Sequence, residues 1–286
     1  MSTGPVDLPH PITRQLFPSP VLPGTGWPGD PASPTTPVAE NADDVVARAA
    51  STRHLELLDA QVSVCRACPR LVNWREQIAR DKRKASAAEP YWGRPIPGYG
   101  SSHPRVLIVG LAPAATGSNR TGRAFTGDMA GVWLFGALYR AGLAVQETSV
   151  SAGDGQELID TRMVSTVRCA PPDNKPTIAE RDTCAPWLDA ELKFVLPSVK
   201  VIVCLGSYGW SAAFRALKRC GYTVPRPLPK FGHAARVEVQ PPEGDAGRAV
   251  VVLGCFHPSQ RNTFTGKLTV PMIDAVIGDA AAIAGR

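Results

Sequence analysis

No stretch of the 286-residue chain approaches the roughly 20 uninterrupted apolar residues of a membrane-spanning helix, and no basic segment followed by an apolar one opens it. A soluble, cytoplasmic protein with no membrane partner is therefore expected. Nucleotide fingerprints are also missing. There is neither the lysine-serine/threonine ending of a Walker loop nor a GxGxxG, which disfavours a nucleotide-dependent transferase. No internal repeat is visible. Disulfide staples are unneeded in a chain this long, so the 7 cysteines must be core residues, metal ligands or nucleophiles.

What is present is an ordinary globular composition with 44% hydrophobic residues. Lysine and arginine outnumber aspartate and glutamate by 31 to 25, a formal +6 that favours a polyanionic partner without proving one. Residues 1–42 carry ten prolines from Pro5 to Pro37 and no sustained hydrophobic period, so this part is expected to be an extended, disordered arm that cannot pack a core. Residues 43–286 are expected to form a single domain, monomeric in action. Apolar runs at Arg105–Val109, Arg162–Val167, Val199–Leu205 and Ala249–Leu253 read as buried parallel strands. Amphipathic helices lie between them. One opens at Thr177 with Glu180 three residues on, the signature of a capping box. Another carries Trp210, Phe214 and Leu217, and a third is expected from Gly131 to Ala141. Such alternation predicts an α/β fold in three α/β/α layers, with ligands beyond the carboxyl ends of the strands.

Three constellations carry chemistry. Cys65-Arg-Ala-Cys68 is a CxxC, and Cys169 and Cys184 follow about a hundred residues later. Two thiolates on a tight turn can grip one metal centre, and the distant pair completes a tetrahedral set. On spacing alone, zinc and a four-iron cluster are not separable. Cys204, Cys220 and Cys255 read as small buried hydrophobes.

The second constellation runs from Gly110 to Asp128, GLAPAATGSNRTGRAFTGD, directly after the first of the four strands. Small residues such as Gly110, Ala112 and Ala114 let the backbone approach a ligand closely. Asn119, Arg120 and Arg123 suit phosphate contacts. Phe125 offers a flat face on which a base could stack, or else is a core aromatic beneath the loop.

The third is His257-Pro-Ser-Gln-Arg-Asn262, at the end of the last strand. A histidine there can donate to an oxygen that becomes negative during reaction, and Pro258 fixes the turn. Ser259, Arg261 and Asn262 are candidate phosphate- or groove-facing donors. The plainer alternative is a capped turn with a solvent-facing histidine.

Taken in order, the CxxC, GLAPAATGSNRTGRAFTGD, the VRCAPPDNKP segment ending at Pro176, Cys184 and HPSQRN resemble the type B (family 5) uracil-DNA glycosylases. The resemblance spans roughly residues 50 to 280, and the combination is far more specific than its parts. It implies a central four-stranded parallel sheet and a structural [4Fe–4S] cluster on Cys65, Cys68, Cys169 and Cys184. The partner it implies is DNA carrying uracil, hypoxanthine or other damaged bases. Residue by residue, Phe125 matches the aromatic under the extruded base, and Asn174 the side chain that reads its Watson–Crick edge. His257 matches the histidine facing the leaving base, and Asp128 the acid proposed to assist water. Ala114 and Ala115 stand where related families place a polar or acidic residue for the attacking water, and Thr116 where this family commonly has histidine. Leaving-group stabilisation should then carry more of the rate. The competing reading from residues alone is a non-catalytic, zinc-stabilised nucleic-acid-binding module.

Overall fold

The computed structural model describes residues 7–244 and 248–286. In chain order the elements are β1 (Leu8–Pro9), β2 (Leu16–Phe17), α1 (Ala42–Ser51), α2 (Leu55–Ser63), α3 (Pro69–Arg80), β3 (Tyr99–Gly100), β4 (Val106–Gly110), α4 (Ser118–Thr121), α5 (Met129–Arg140), β5 (Thr161–Ser165), α6 (Ile178–Val195), β6 (Val201–Leu205), α7 (Gly206–Arg219), β7 (Arg236–Val239), β8 (Val250–Cys255), α8 (Gln260–Phe264) and α9 (Val270–Ala284). The main sheet has the order β3-β5-β4-β6-β8-β7. Strands β5, β4, β6 and β8 are parallel, the four expected from the apolar runs, and they are buried throughout. The sheet is wider than expected, because β3 and β7 add antiparallel edges. Strand β3 is only two residues long and β7 alternates exposed and buried positions, so neither leaves the continuous apolar signal of a central strand.

Side chains alternate across each central strand, and that period of two builds both layers. Val106 and Ile108 point to the side of α5 and α9, whose Leu134, Leu138, Ile273 and Ile277 are buried against them. Leu107 and Val109 point to the opposite side, where α1, α2, α6 and α7 contribute Val45, Leu58, Leu192 and Phe214. Helix α6 starts as the sequence indicates: Thr177 accepts the Glu180 N–H, and the Glu180 carboxylate accepts the Thr177 N–H.

The proline-rich segment is not a free arm over the residues described. Residues 1–6 lie outside them, but Phe17, Val21 and Trp27 are buried in the same core as α5 and α9. Trp27 meets Phe17 edge-on at 5.1 Å and lies 6.1 Å from Trp92. Asp30 and Arg94 form an ion pair at 2.8 Å with both side chains buried. Ser19 Oγ donates to the Ala79 carbonyl at 2.7 Å and accepts the Tyr91 N–H at 2.9 Å. Proline suppresses periodic elements but brings no N–H that needs a partner, so an extended run can lie on the domain and anchor through isolated large side chains.

A buried ion network, invisible to motif reading, braces α6 to β5 and α2. Glu191 accepts from Arg162 Nε at 2.6 Å and from Arg168, and Arg162 also holds Asp59 at 2.7 Å. Burial pushes the Glu191 carboxyl up, yet the two guanidiniums hold it below its ordinary value.

Candidate active site

The carboxyl ends of the four parallel strands open into one cavity of about 740 Å³. Leu111 follows β4, Ser165 closes β5, Gly206 follows β6 and Phe256 and His257 follow β8; all line it. Of the residues singled out from sequence, Ala112, Ala114, Phe125, Asp128, Asn174, His257, Ser259, Arg261 and Asn262 reach this space.

Gly110 lies beneath the cavity rather than in it. A Cβ there would meet the Phe125 ring at 2.4 Å, so the ring can lie across the strand end only because this residue is glycine. Phe125 itself is half-buried, with a left-handed φ of 52°, and it packs on the core while presenting to the cavity. Its reading as a core aromatic holds, and part of the ring is open to the cavity.

Asp128 is the N-cap of α5, its Oδ1 accepting the Gly131 N–H at 2.9 Å. Its Oδ2 faces Gly117, where an added Cβ would come within 2.3 Å. Burial raises this carboxyl above the ordinary carboxylate value, opposed by the Gly131 and Ala130 N–H groups and by Arg120. The residue is thus both cap and cavity wall.

His257 makes no side-chain hydrogen bond to another described residue. Burial lowers its pKa to about 4, so near neutral pH the imidazole is uncharged and offers one N–H donor. Asn262 donates its amide to the His257 carbonyl at 2.8 Å, fixing the loop that aims the ring; this is bracing rather than the groove contact expected of it. Asn174, on the rim, has φ 55° after Asp173 at 53°, two consecutive left-handed residues that turn the segment over the cavity.

Three expected phosphate contacts are corrected. Asn119 is fully buried and donates to the Arg75 carbonyl at 3.1 Å. Arg123 is buried against Asp154 at 2.6 Å and lies 4.8 Å over the Tyr99 ring. Arg120 donates to Glu89 at 2.7 Å, to the Thr116 carbonyl at 3.1 Å and to the Gly127 carbonyl at 3.0 Å. A long glycine-rich loop has few internal backbone bonds, and these side chains supply the missing braces by turning inward. Residues that motif reading missed include Arg83, Ser207, Tyr208, Phe231, Phe256 and Lys267. Ser207, Tyr208 and Phe256 were findable from their place just past strand ends. Arg83, Phe231 and Lys267 carried no local signal.

The four motif cysteines gather at a second, smaller cavity, lined also by Arg75, Leu71 and Trp187. Cys68 is the N-cap of α3, and Cys184 lies within α6. Burial raises the thiols of Cys65 and Cys184, and pushes Cys68 up to about 12. Arg75 is 1% exposed, donates to Cys169 Sγ at 2.8 Å and has no carboxylate partner among the described residues. The Arg168 N–H points to Cys184 Sγ at 3.4 Å. Among the described residues no three His, Cys, Asp or Glu side chains converge tightly enough to hold a single metal ion. Cys204 and Cys255 are fully buried and Cys220 partly so, in line with their reading as core residues.

Comparison with known proteins agrees with this architecture. The family model described as the uracil DNA glycosylase superfamily matches residues 97–281. A type-5 uracil-DNA glycosylase of Mycobacterium bovis is 52% identical over 96% of this chain and 99% of its own length. Proteins of the same name from Thermus thermophilus and Pyrobaculum aerophilum are each 42% identical, over 78% and 77% of this chain and 95% and 89% of their own. With the strand-end cavity, the order of motifs and this similarity in agreement, the chain belongs to the uracil DNA glycosylase superfamily, in its type-5 branch.

Proposed function

We propose that the 740 Å³ cavity receives a nucleotide flipped from DNA and hydrolyses its N-glycosidic bond, releasing uracil and leaving an abasic site. The observation that carries this is the uncharged His257, its ring without a hydrogen-bond partner among the described residues, facing the same space as Phe125, Asn174 and Asp128. Flipping costs a few kcal/mol in lost stacking and pairing, which the Phe125 face and the free Asn174 amide offset. As the bond between the sugar C1′ and the base nitrogen breaks, its electron pair leaves with the base. Negative charge spreads to the base oxygens. The His257 N–H donates to one of them, a contact that strengthens only as charge develops. Asp128 faces the positive sugar, and a water oxygen bonds to C1′ while giving up a proton that ends on the departing base, so that neutral uracil and an abasic hydroxyl remain. The non-catalytic alternative finds no support in either the cavity or the family match.

Ala112 and Ala114 leave the cavity wall low where larger side chains would narrow it. That room favours acceptance of hypoxanthine as well as uracil. The cysteine site fits an iron–sulfur cluster better than a single zinc ion. The thiols surround a space rather than a point, and the buried Arg75 charge needs an anionic neighbour, which cluster-bound thiolates supply. Cys65, Cys68, Cys169 and Cys184 would hold it. When bound, it ties the start of α3 to α6 and to the segment after β5, a structural rather than chemical contribution. Purified protein should be brown and contain iron; stoichiometric zinc without iron would reject the cluster while leaving base excision standing. The enzymatic reading is tested by incubating a uracil-containing and a hypoxanthine-containing oligonucleotide with the protein and then treating with alkali, which breaks the strand wherever a base has been removed.

A further inference from the structure

We infer that Arg83, with its exposed chain neighbour Lys84 beside it, forms a second phosphodiester-binding wall of the active-site mouth, in addition to the wall built by Arg261 and Lys267. Arg83 lines the same cavity as His257 and Asp128, yet it belongs to the segment after α3, outside residues 97–281 that the superfamily model matches. Arg261 and Lys267 line the cavity from the C-terminal side. All four side chains are exposed, and none has an acidic partner among the described residues. Across the whole lining the single carboxylate is Asp128, turned in on the α5 cap. A mouth flanked by exposed cations that no carboxylate among the described residues neutralises, Lys267 resting 4.9 Å over the Phe256 ring, matches a polyanionic strand passing over a buried reaction site.

The position of this wall is fixed, which separates it from a stray surface charge. Ser86 Oγ lies 2.6 Å from the Tyr91 hydroxyl, and Glu89 accepts from Arg120 at 2.7 Å. The same Arg120 guanidinium holds the carbonyls of Thr116 and Gly127 in the catalytic loop. This half-buried brace therefore sets the spacing between the basic segment and Asp128. The inference rests on the base-excision reading for the identity of the polyanion, a DNA strand whose flanking phosphates meet both walls while the nucleotide between them enters the cavity.

The test measures affinity of the full chain for a short duplex carrying one tetrahydrofuran abasic analogue, across roughly 50 to 200 mM salt, for wild type and for the double variant Arg83→Gln/Lys84→Gln. Loss of two phosphate contacts should reduce the magnitude of the log K against log salt slope by about 1 to 2. A control double variant, Arg53→Gln/Lys218→Gln, removes the same charge from exposed positions away from the cavity and should leave the slope as in wild type. Equal slopes for the two double variants would overturn the wall, because net charge alone would then explain the effect. Uracil release by wild type is scored separately: binding with the expected slopes but without release would sink the base-excision reading and leave the basic wall in place.

Discussion

Burial holds His257 in the neutral state that its proposed donor role requires. Burial depresses its pKa to about 4, so it stays neutral well below the ordinary histidine value near 6.5. A neutral donor needs no proton uptake from solvent. The rate of uracil release should therefore show no inflection near pH 6.5, and the His257→Ala profile between about pH 5 and 8 should keep the wild-type shape at a lower level. A wild-type rate that rises as pH falls through 6.5 would instead mark a histidinium as the active form. Removing the donor should slow single-turnover release by about a hundredfold or more. Asp128 caps α5, and the proposed function gives it a second, catalytic duty that substitutions separate from the first. Asp128→Asn keeps an oxygen for the Gly131 N–H, so it should melt like wild type yet excise slowly. Asp128→Ala should in addition lose about 1 kcal/mol of cap stability in a denaturant titration. If Asp128→Asn excises at the wild-type rate, the residue is a cap alone. At this scale the sequence was legible where chemistry and turn geometry coincide, as at His257 and Asp128. It was misleading at Asn119, Arg120 and Arg123, because an arginine in a glycine-rich loop has the same letters whether it faces a phosphate or a buried Asp154.

The four parallel strands announce themselves through unbroken apolar runs, because both faces of each are covered by helices. The proline-rich segment does the opposite. Its composition argues against regular elements, and yet Phe17, Val21 and Trp27 are each no more than 3% exposed. Burying such side chains contributes about 1.5–3 kcal/mol apiece, a large share of the roughly 5–15 kcal/mol that holds a domain together. Deletion of residues 1–38 should therefore lower Tm by about 10 °C or more. A truncated protein that melts like wild type would return this segment to the status of a free arm. The α6 brace offers a second test of the same scale. Glu191→Gln leaves Arg162 and Arg168 buried beside a neutral amide, and breaking a buried pair in this way costs about 3–5 kcal/mol. Urea unfolding should show that loss as a lower midpoint, whereas an unchanged midpoint would mean the network is neutral overall. No spacing rule marks these charges in advance, since their partners come from α2, β5 and α6.

Across the whole molecule, the proposed function divides the labour of the two cavities between holding and reacting. The cysteine site joins the start of α3, the segment after β5 and the body of α6, while the strand-end cavity gathers the groups that meet the base. If the four cysteines hold the proposed cluster, changing Cys184 to alanine should lower both iron content and Tm, with excision by the protein that remains folded reduced far less than in His257→Ala; full loss of chemistry with normal melting would give that site a direct catalytic part. Both sites were visible as motifs because each draws on residue types with few other uses in close combination. Their shared context, a basic mouth built partly from Arg83 before the superfamily domain, was not. The most direct measurement uses a labelled oligonucleotide with one uracil and its thymine counterpart, incubated with the full chain and then treated with alkali. Cleavage at the uracil position alone is the expected result. An intact uracil strand, from folded protein shown to bind that DNA, would contradict base excision at this cavity.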